Sequence, residues 1–196
     1  ENNKSRNETW YMPKSFSDIE HLESIDVPSC WETIRKDYEG VAVYGKKFKV
    51  PSEWENKAIR LHFDAVNYRA DVWLNGYAVG QHEGGYGPFE FQVDDLIKVD
   101  ETNFLSVRVL GPIVNQDKII DGLGKNDAPH WRGAIAGGIW QSVKLIASGQ
   151  VFIDDLFIIP NINENKANIQ LSLNNSGLNK CTHEVIVEVK DKDSGE

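Results

Sequence analysis

Apolar residues recur at every second position through short runs of this chain, and that period marks half-buried β-strands rather than helices. The runs fall at 41–50, 58–63, 70–74, 77–81, 89–93 and 104–109, each rich in β-branched or aromatic residues and bounded by turn formers. Between Ala58 and Ala65, the residues Ile59, Leu61, Phe63 and Ala65 alternate with Arg60, His62 and Asp64. One face of that strand therefore enters a core, and the other meets water or a neighbouring domain. Asn75-Gly76 separates two such runs and predicts a two-residue type I′ hairpin, whose central positions both need positive φ. No stretch sustains a 3.6-residue period. Asp18–Glu23 and Asp94–Lys98 are expected as single helical turns only.

Gly111–His130 is about twenty residues with scattered Gly, Pro, Asn and Asp and no period. Connections of that length inside a compact domain are uncommon and often functional. The chain then returns to a strand at 141–147. Beyond Gly149 three further strand-like runs follow, 151–160, 167–173 and 183–190, with Asn-rich turns between them. The expected organisation is all-β, with a first domain over residues 1–148 and a second over 149–196.

Composition narrows the class. With 40% hydrophobic and 26% charged residues, the 196-residue chain has ordinary globular usage. A net charge of −9 with no Lys/Arg cluster argues against nucleic acid as a partner. Apolar runs fall far short of the roughly 20 residues that span a bilayer, so no membrane span is expected. The first residue is Glu1, not Met, which suggests a removed signal peptide or a trimmed start, and a periplasmic or secreted location is the expectation. Cys30 and Cys181 fall in different predicted domains and are expected as two unconnected thiols.

Several patterns that could carry chemistry have plainer readings. Asp94-Asp95 and Asp154-Asp155 are adjacent in sequence, and strand neighbours point to opposite faces, so turn or cap roles are expected. His62 and Asp64 share a face, but two ligands are too few for a metal site. No metal or other cofactor is expected. Gly84-Gly85-Tyr86-Gly87-Pro88 lacks the following helix that a phosphate cradle requires, and reads as a backbone turn.

Four segments taken together carry a resemblance. They are Val27-Pro-Ser-Cys-Trp31, the stretch from Arg60 through Asn75-Gly76 to Gly80, His82-Glu-Gly-Gly-Tyr-Gly-Pro-Phe89, and Gly138-Ile-Trp-Gln-Ser-Val143. In this order the chain resembles the N-terminal jelly-roll domain of family 2 glycoside hydrolases, of the β-galactosidase and β-glucuronidase type. The resemblance implies a jelly-roll β-sandwich, galactose-binding-domain-like, followed by the start of an immunoglobulin-like sandwich. It also implies that both catalytic glutamates belong to a (β/α)8 barrel further along the polypeptide, so none of the residues here is expected to be catalytic. His82 and Glu83 sit in what is a packing and turn motif in that family.

The expected partners are accordingly a carbohydrate, the terminal sugar of a glycoside, and a downstream catalytic domain. The expected sugar contacts are Asp127, His130, Trp131 and Arg132 at the end of the long loop, since aromatic faces and charged hydrogen-bonding groups suit sugar C–H and hydroxyl groups. In family members an aspartate of this loop binds sugar hydroxyls; here Pro129, His130 or Arg132 occupies that position, and Asp127 is the nearest carboxylate. The alternative for Trp131 and Arg132 is packing between domains. The chain passes almost directly from Trp31 to Tyr38, without the inserted segment of typical β-galactosidases, a layout nearer the β-glucuronidase type. The chain is expected to be inactive by itself, as part of a retaining, exo-acting hydrolase. Its second domain, cut short, is expected to find a partner through open strand edges, a second copy included. A free-standing carbohydrate-binding module and a structural interaction module are the other two readings.

Overall fold

The computed structural model describes residues 9–19, 22–130, 136–190 and 192. The chain divides into two compact units, Glu1–Gly149 and Gln150–Glu196. The first holds seven strands: β1 (Val41–Lys49), β2 (Ala58–Phe63), β3 (Arg69–Leu74), β4 (Tyr77–Glu83), β5 (Phe89–Gln92), β6 (Thr102–Leu110) and β7 (Val143–Ser148). They form a four-stranded sheet in the order β1-β6-β3-β4 and a three-stranded sheet in the order β5-β2-β7, every pairing antiparallel. The two sheets pack face to face as a jelly-roll sandwich.

The alternating residues supply the core as expected. Ile59, Leu61 and Phe63 of β2 meet Ala70, Val72 and Leu74 of β3 and Val107 and Val109 of β6 in one buried cluster with Trp31, Val66, Val93 and Ile139. Asn75 and Gly76, at φ 54° and 87°, make the β3–β4 turn. The Asn75 side chain adds hydrogen bonds to Leu96 O, to Asn103 Oδ1 and from Phe104 N, so this turn is locked to β6 as well. The glycine-rich segment after β4 takes the chain from the larger sheet to the smaller. There the carbonyl of Gly85 accepts from Trp140 Nε1 at 2.9 Å, and a Cβ at Gly85 would collide with the Asn67 side chain. His82 stacks on Phe89 with ring centroids 4.0 Å apart, a packing role. On the open side of the sandwich, between β1 and β7, lies a cavity of about 1170 Å³ lined by Trp31, Tyr44, Phe48, Leu61, Val107 and Leu145 among others.

Two local expectations need correction here, and a third holds. The helix lies earlier than Asp18–Glu23: α1 is Pro13–Ser17, and Asp18 is its C-cap. Pro13 at the first helical position has its φ preset and lacks the N–H that would go unpaired there, while Phe16 anchors the turn over Gly45 and against Phe104. Asp94–Lys98 does begin as one helical turn, with Ile97 N donating to Val93 O at 3.0 Å. Asp154 and Asp155, expected in a turn, lie instead within β8, at an irregularity of its pairing between Ile153 and Asp155. A bulge absorbs the extra residue and lets the flanking apolar residues keep one face.

The second unit is a two-stranded antiparallel hairpin, β8 (Val151–Asn161) with β9 (Lys166–Asn175). Asn165 at φ 51° closes its turn, and Asn161 Oδ1 accepts from Glu164 N. Leu156, Ile158, Ile169 and Leu171 share one face by register, and Leu156 and Ile158 are 51% and 53% exposed. The third run, 183–190, is not a strand: Val185 and Val187 are exposed, and no strand pairs with it among the described residues. Alternation marks which residues could share a face, but a strand exists only where a ladder partner supplies hydrogen bonds.

Candidate functional site

The long connection between β6 and β7 is folded onto the outer face of the larger sheet. By register, β3 presents Asp71 opposite Arg108 of β6 on that face, with Arg69 opposite Leu110. Such a face would ordinarily be solvated, yet Arg108 is 0% exposed and Asp71 8%. The Arg108 guanidinium donates to Asp71 Oδ2 at 3.1 Å and meets Asp121 Oδ2, from the loop, at 2.7 Å. A buried arginine is tolerated only where carboxylates and hydrogen bonds replace its lost water, so the loop must return to this spot.

Asp121 heads a tight turn. Ile120 and Leu123 exchange two backbone hydrogen bonds of 2.9 Å, and Asp121 and Gly122 between them have φ 52° and 85°. These are the dihedral signs of a type I′ hairpin, for which Asp-Gly is a preferred sequence. The carbonyl of Asp121 accepts from Arg69 Nη1 at 3.3 Å, and Arg69 is held in turn by Glu83. Ile113 and Ile120, both 2% exposed, pack with Leu110 beneath the turn.

The first limb of the loop is held by Glu39, which immediately precedes the glycine leading into β1. One Glu39 carboxylate oxygen accepts from Asn115 N and Nδ2 at 2.8 and 2.9 Å, and the other from Gln116 N at 3.0 Å. Lys118 Nζ reaches the Glu39 carbonyl at 2.7 Å. Burial of this 3%-exposed side chain pushes its carboxyl up, but the hydrogen bonds from Asn115 and Gln116 outweigh that and hold it below its ordinary value.

Beyond the Asp121 turn the chain makes one more. Asn126 N donates to Ile113 O at 2.8 Å, and Asp127 Oδ2 accepts from Gly124 N at 2.6 Å. Of the expected sugar contacts, Asp127 is thus exposed and holds its own turn with one oxygen, and its other oxygen faces no protein donor among the bonds described. His130 is half-buried, with Nδ1 3.3 Å from Ala128 O. Trp131 and Arg132 lie outside the described residues. Ala136–Gly138 is held by several hydrogen bonds. Asn67 Nδ2 donates to Ala136 O at 2.8 Å, Gly137 N to Glu32 Oε1 at 3.1 Å, and Asn67 and Gly138 exchange backbone bonds of 2.9 Å. Burial pushes the Glu32 carboxyl up, against the pull of the Gly137 N–H, and burial pushes the nearby Tyr44 hydroxyl up to about 12.

The loop and its exposed Asp127 are legible in the sequence, whereas the anchoring roles of Glu39, Arg108 and Asp121 are not. Asp121-Gly122 was a legible turn signal; the burial of Arg108 and Glu39 had none. The His62 pair resolves into a surface network, with His62 ring nitrogens 3.0 Å from Asp64 and 3.2 Å from Glu90, and Lys144 2.8 Å from Asp64. Among the described residues no three His, Cys, Asp or Glu side chains group as metal ligands, and no helix is long and apolar enough to cross a membrane.

Comparison with known proteins agrees with this architecture. A β-glucuronidase from an uncultured Clostridium superposes with a TM-score of 0.71 at 24% identity, over 89% of this chain and 31% of that one, which is a likeness of fold. In sequence, a β-galactosidase of Thermoanaerobacter pseudethanolicus is 27% identical over 93% of this chain. A β-glucuronidase of Bacteroides fragilis is 35% identical over 52% of this chain. The chain spans only 26% and 16% of the lengths of those two relatives. The model of the glycosyl hydrolases family 2 sugar binding domain matches residues 32–148, all seven strands of the sandwich and the loop between β6 and β7, and this chain belongs to that family.

Proposed function

We propose that this chain is the non-catalytic, sugar-binding-type part of a retaining, exo-acting β-glucuronidase or β-galactosidase, and that the β6–β7 loop shapes one wall of its substrate pocket. The observation carrying this reading is the loop itself: a connection of 32 residues, 111–142, that is fastened by Glu39 and Arg108 and leaves Asp127 exposed. In the reaction, one carboxylate forms a glycosyl-enzyme bond while a second, about 5 to 5.5 Å away, protonates the leaving oxygen and then activates water. We assign both to a (β/α)8 barrel further along the polypeptide. The present residues bind and orient the terminal sugar: Asp127 accepts from its hydroxyls, and His130, Trp131 and Arg132 contribute ring faces and donors. The short path from Trp31 to Tyr38 favours the β-glucuronidase alternative.

The second unit fits the same reading. A two-stranded hairpin is marginal by itself in water, so the exposed Leu156/Ile158 face is expected to be covered by later strands of an immunoglobulin-like sandwich, or by a second copy when those are absent. Light scattering of the purified chain checks the latter, and a monomer at high concentration counts against it.

The test uses 4-nitrophenyl β-D-glucuronide and β-D-galactoside. The 196-residue chain should hydrolyse neither, and turnover by it would sink the proposal. In the full-length protein, Asp127→Ala should lower kcat/KM by about 10- to 100-fold, the loss of one charge-assisted hydrogen bond of roughly 1.5–3 kcal/mol. Strong oligosaccharide binding by the chain alone would instead identify a free-standing carbohydrate-binding module.

A further inference from the structure

We infer that Asp121 is a positioning residue for the sugar site, setting the place of Asp127 through its ion pair with the buried Arg108; this rests on the reading that the loop end contacts substrate. Asp121 is itself almost wholly buried, its side chain 2% exposed. Its carboxylate cannot drift, because Arg108 sits in the middle of a sheet with Asp71 on its other nitrogen. Its backbone cannot drift either, because the carbonyl is bound by Arg69 and the Ile120–Leu123 turn is closed from both sides.

From Asp121 to Asp127 there is no slack in which a displacement could be absorbed. Gly122 and Leu123 complete the first turn, Gly124–Asp127 is the second, and Asn126 N ties that second turn to Ile113. Ala128, next in the chain, is 4% exposed and seats the loop against the domain. Here a buried salt bridge is spent on the outer face of a sheet, six residues before the exposed carboxylate. Misplacement of a contact by about 1 Å can cost two orders of magnitude in rate, so the pair acts on catalysis without touching substrate.

The experiment is a mutant cycle in the full-length protein, with kcat and KM measured on whichever of 4-nitrophenyl β-D-glucuronide and β-D-galactoside it hydrolyses faster. Asp121→Asn keeps the size and removes the charge. It should raise KM and lower kcat/KM by about tenfold, and the Asp121→Asn/Asp127→Ala double variant should be no worse than Asp127→Ala alone. A purely structural role would instead lower kcat through a smaller folded fraction at unchanged KM, and additive effects in the double variant would likewise overturn the inference. If Asp121→Asn does not fold, Arg69→Gln loosens the same residue from a side chain that is 20% exposed. It should raise KM several-fold, and only when Asp127 is present; an unchanged KM would again overturn the inference. If Asp127→Ala itself changes nothing, the pocket-wall reading has failed, and the role of Asp121 falls with it.

Discussion

Replacing Glu39 by glutamine keeps the shape of a buried side chain and removes its charge, so the consequence can be worked from the three bonds it accepts. In the wild type two N–H groups of Asn115 point at one oxygen and the Gln116 N–H at the other. The amide can satisfy only one side. With its carbonyl toward Asn115, its NH2 faces the Gln116 N–H, leaving a donor unpaired at about 1–3 kcal/mol. The two remaining bonds lose their charge assistance, roughly 1 kcal/mol between them. The sum is about 3 kcal/mol. All six tryptophans lie in the first unit, so their fluorescence in a urea titration reports that unit alone. With a urea m value near 2 kcal/mol/M, the midpoint should fall by about 1.5 M. The pH dependence has a definite sign. The folded carboxyl is held below its ordinary value, so its contribution is in place above the unfolded pKa of about 4.3 and is lost as pH falls through the folded one. The gap between wild type and Glu39→Gln should therefore narrow on acidification. A gap under about 0.5 kcal/mol at pH 7, or one that does not shrink with acid, would refute the account of Glu39 as a charged anchor.

Two further substitutions probe the same scaffold. Arg108→Met leaves the carboxylates of Asp71 and Asp121 buried without their cation and should cost about 3–5 kcal/mol, read by the same titration; a loss below 1 kcal/mol would mean that water already reaches the pair. Glu32→Gln should act in the opposite sense to Glu39→Gln. Burial raises the Glu32 carboxyl, so wild-type stability declines as pH rises through that value. The amide still accepts from Gly137 N, and in thermal melts the variant should unfold at a higher temperature than wild type near pH 8, with that advantage lost near pH 4; a variant that melts lower than wild type at pH 8 would refute this.

The local geometry of the sandwich is legible in neighbouring residues alone. Ile59, Leu61 and Phe63 could only share a face, Asn75-Gly76 could only be a tight turn, and the order of motifs identified the family, because period-two alternation and positive φ are properties of neighbouring residues. Which faces are covered depends on long-range packing. Alternation on β6 separates Val107 and Val109 from Arg108 but does not say that a loop will lie over the arginine; that follows from Asp71 standing beside it on β3 and Asp121 arriving from thirteen residues downstream. Glu39 looks like any surface glutamate until the backbone of residues 115 and 116 is brought to it. Residues 183–190 show the converse: Val185, Ile186, Val187 and Val189 suit a strand, but among the described residues no ladder partner pairs with them. Side-chain period is encoded locally, whereas burial and pairing depend on partners distant in sequence, and the anchors of the candidate site belong wholly to the second kind.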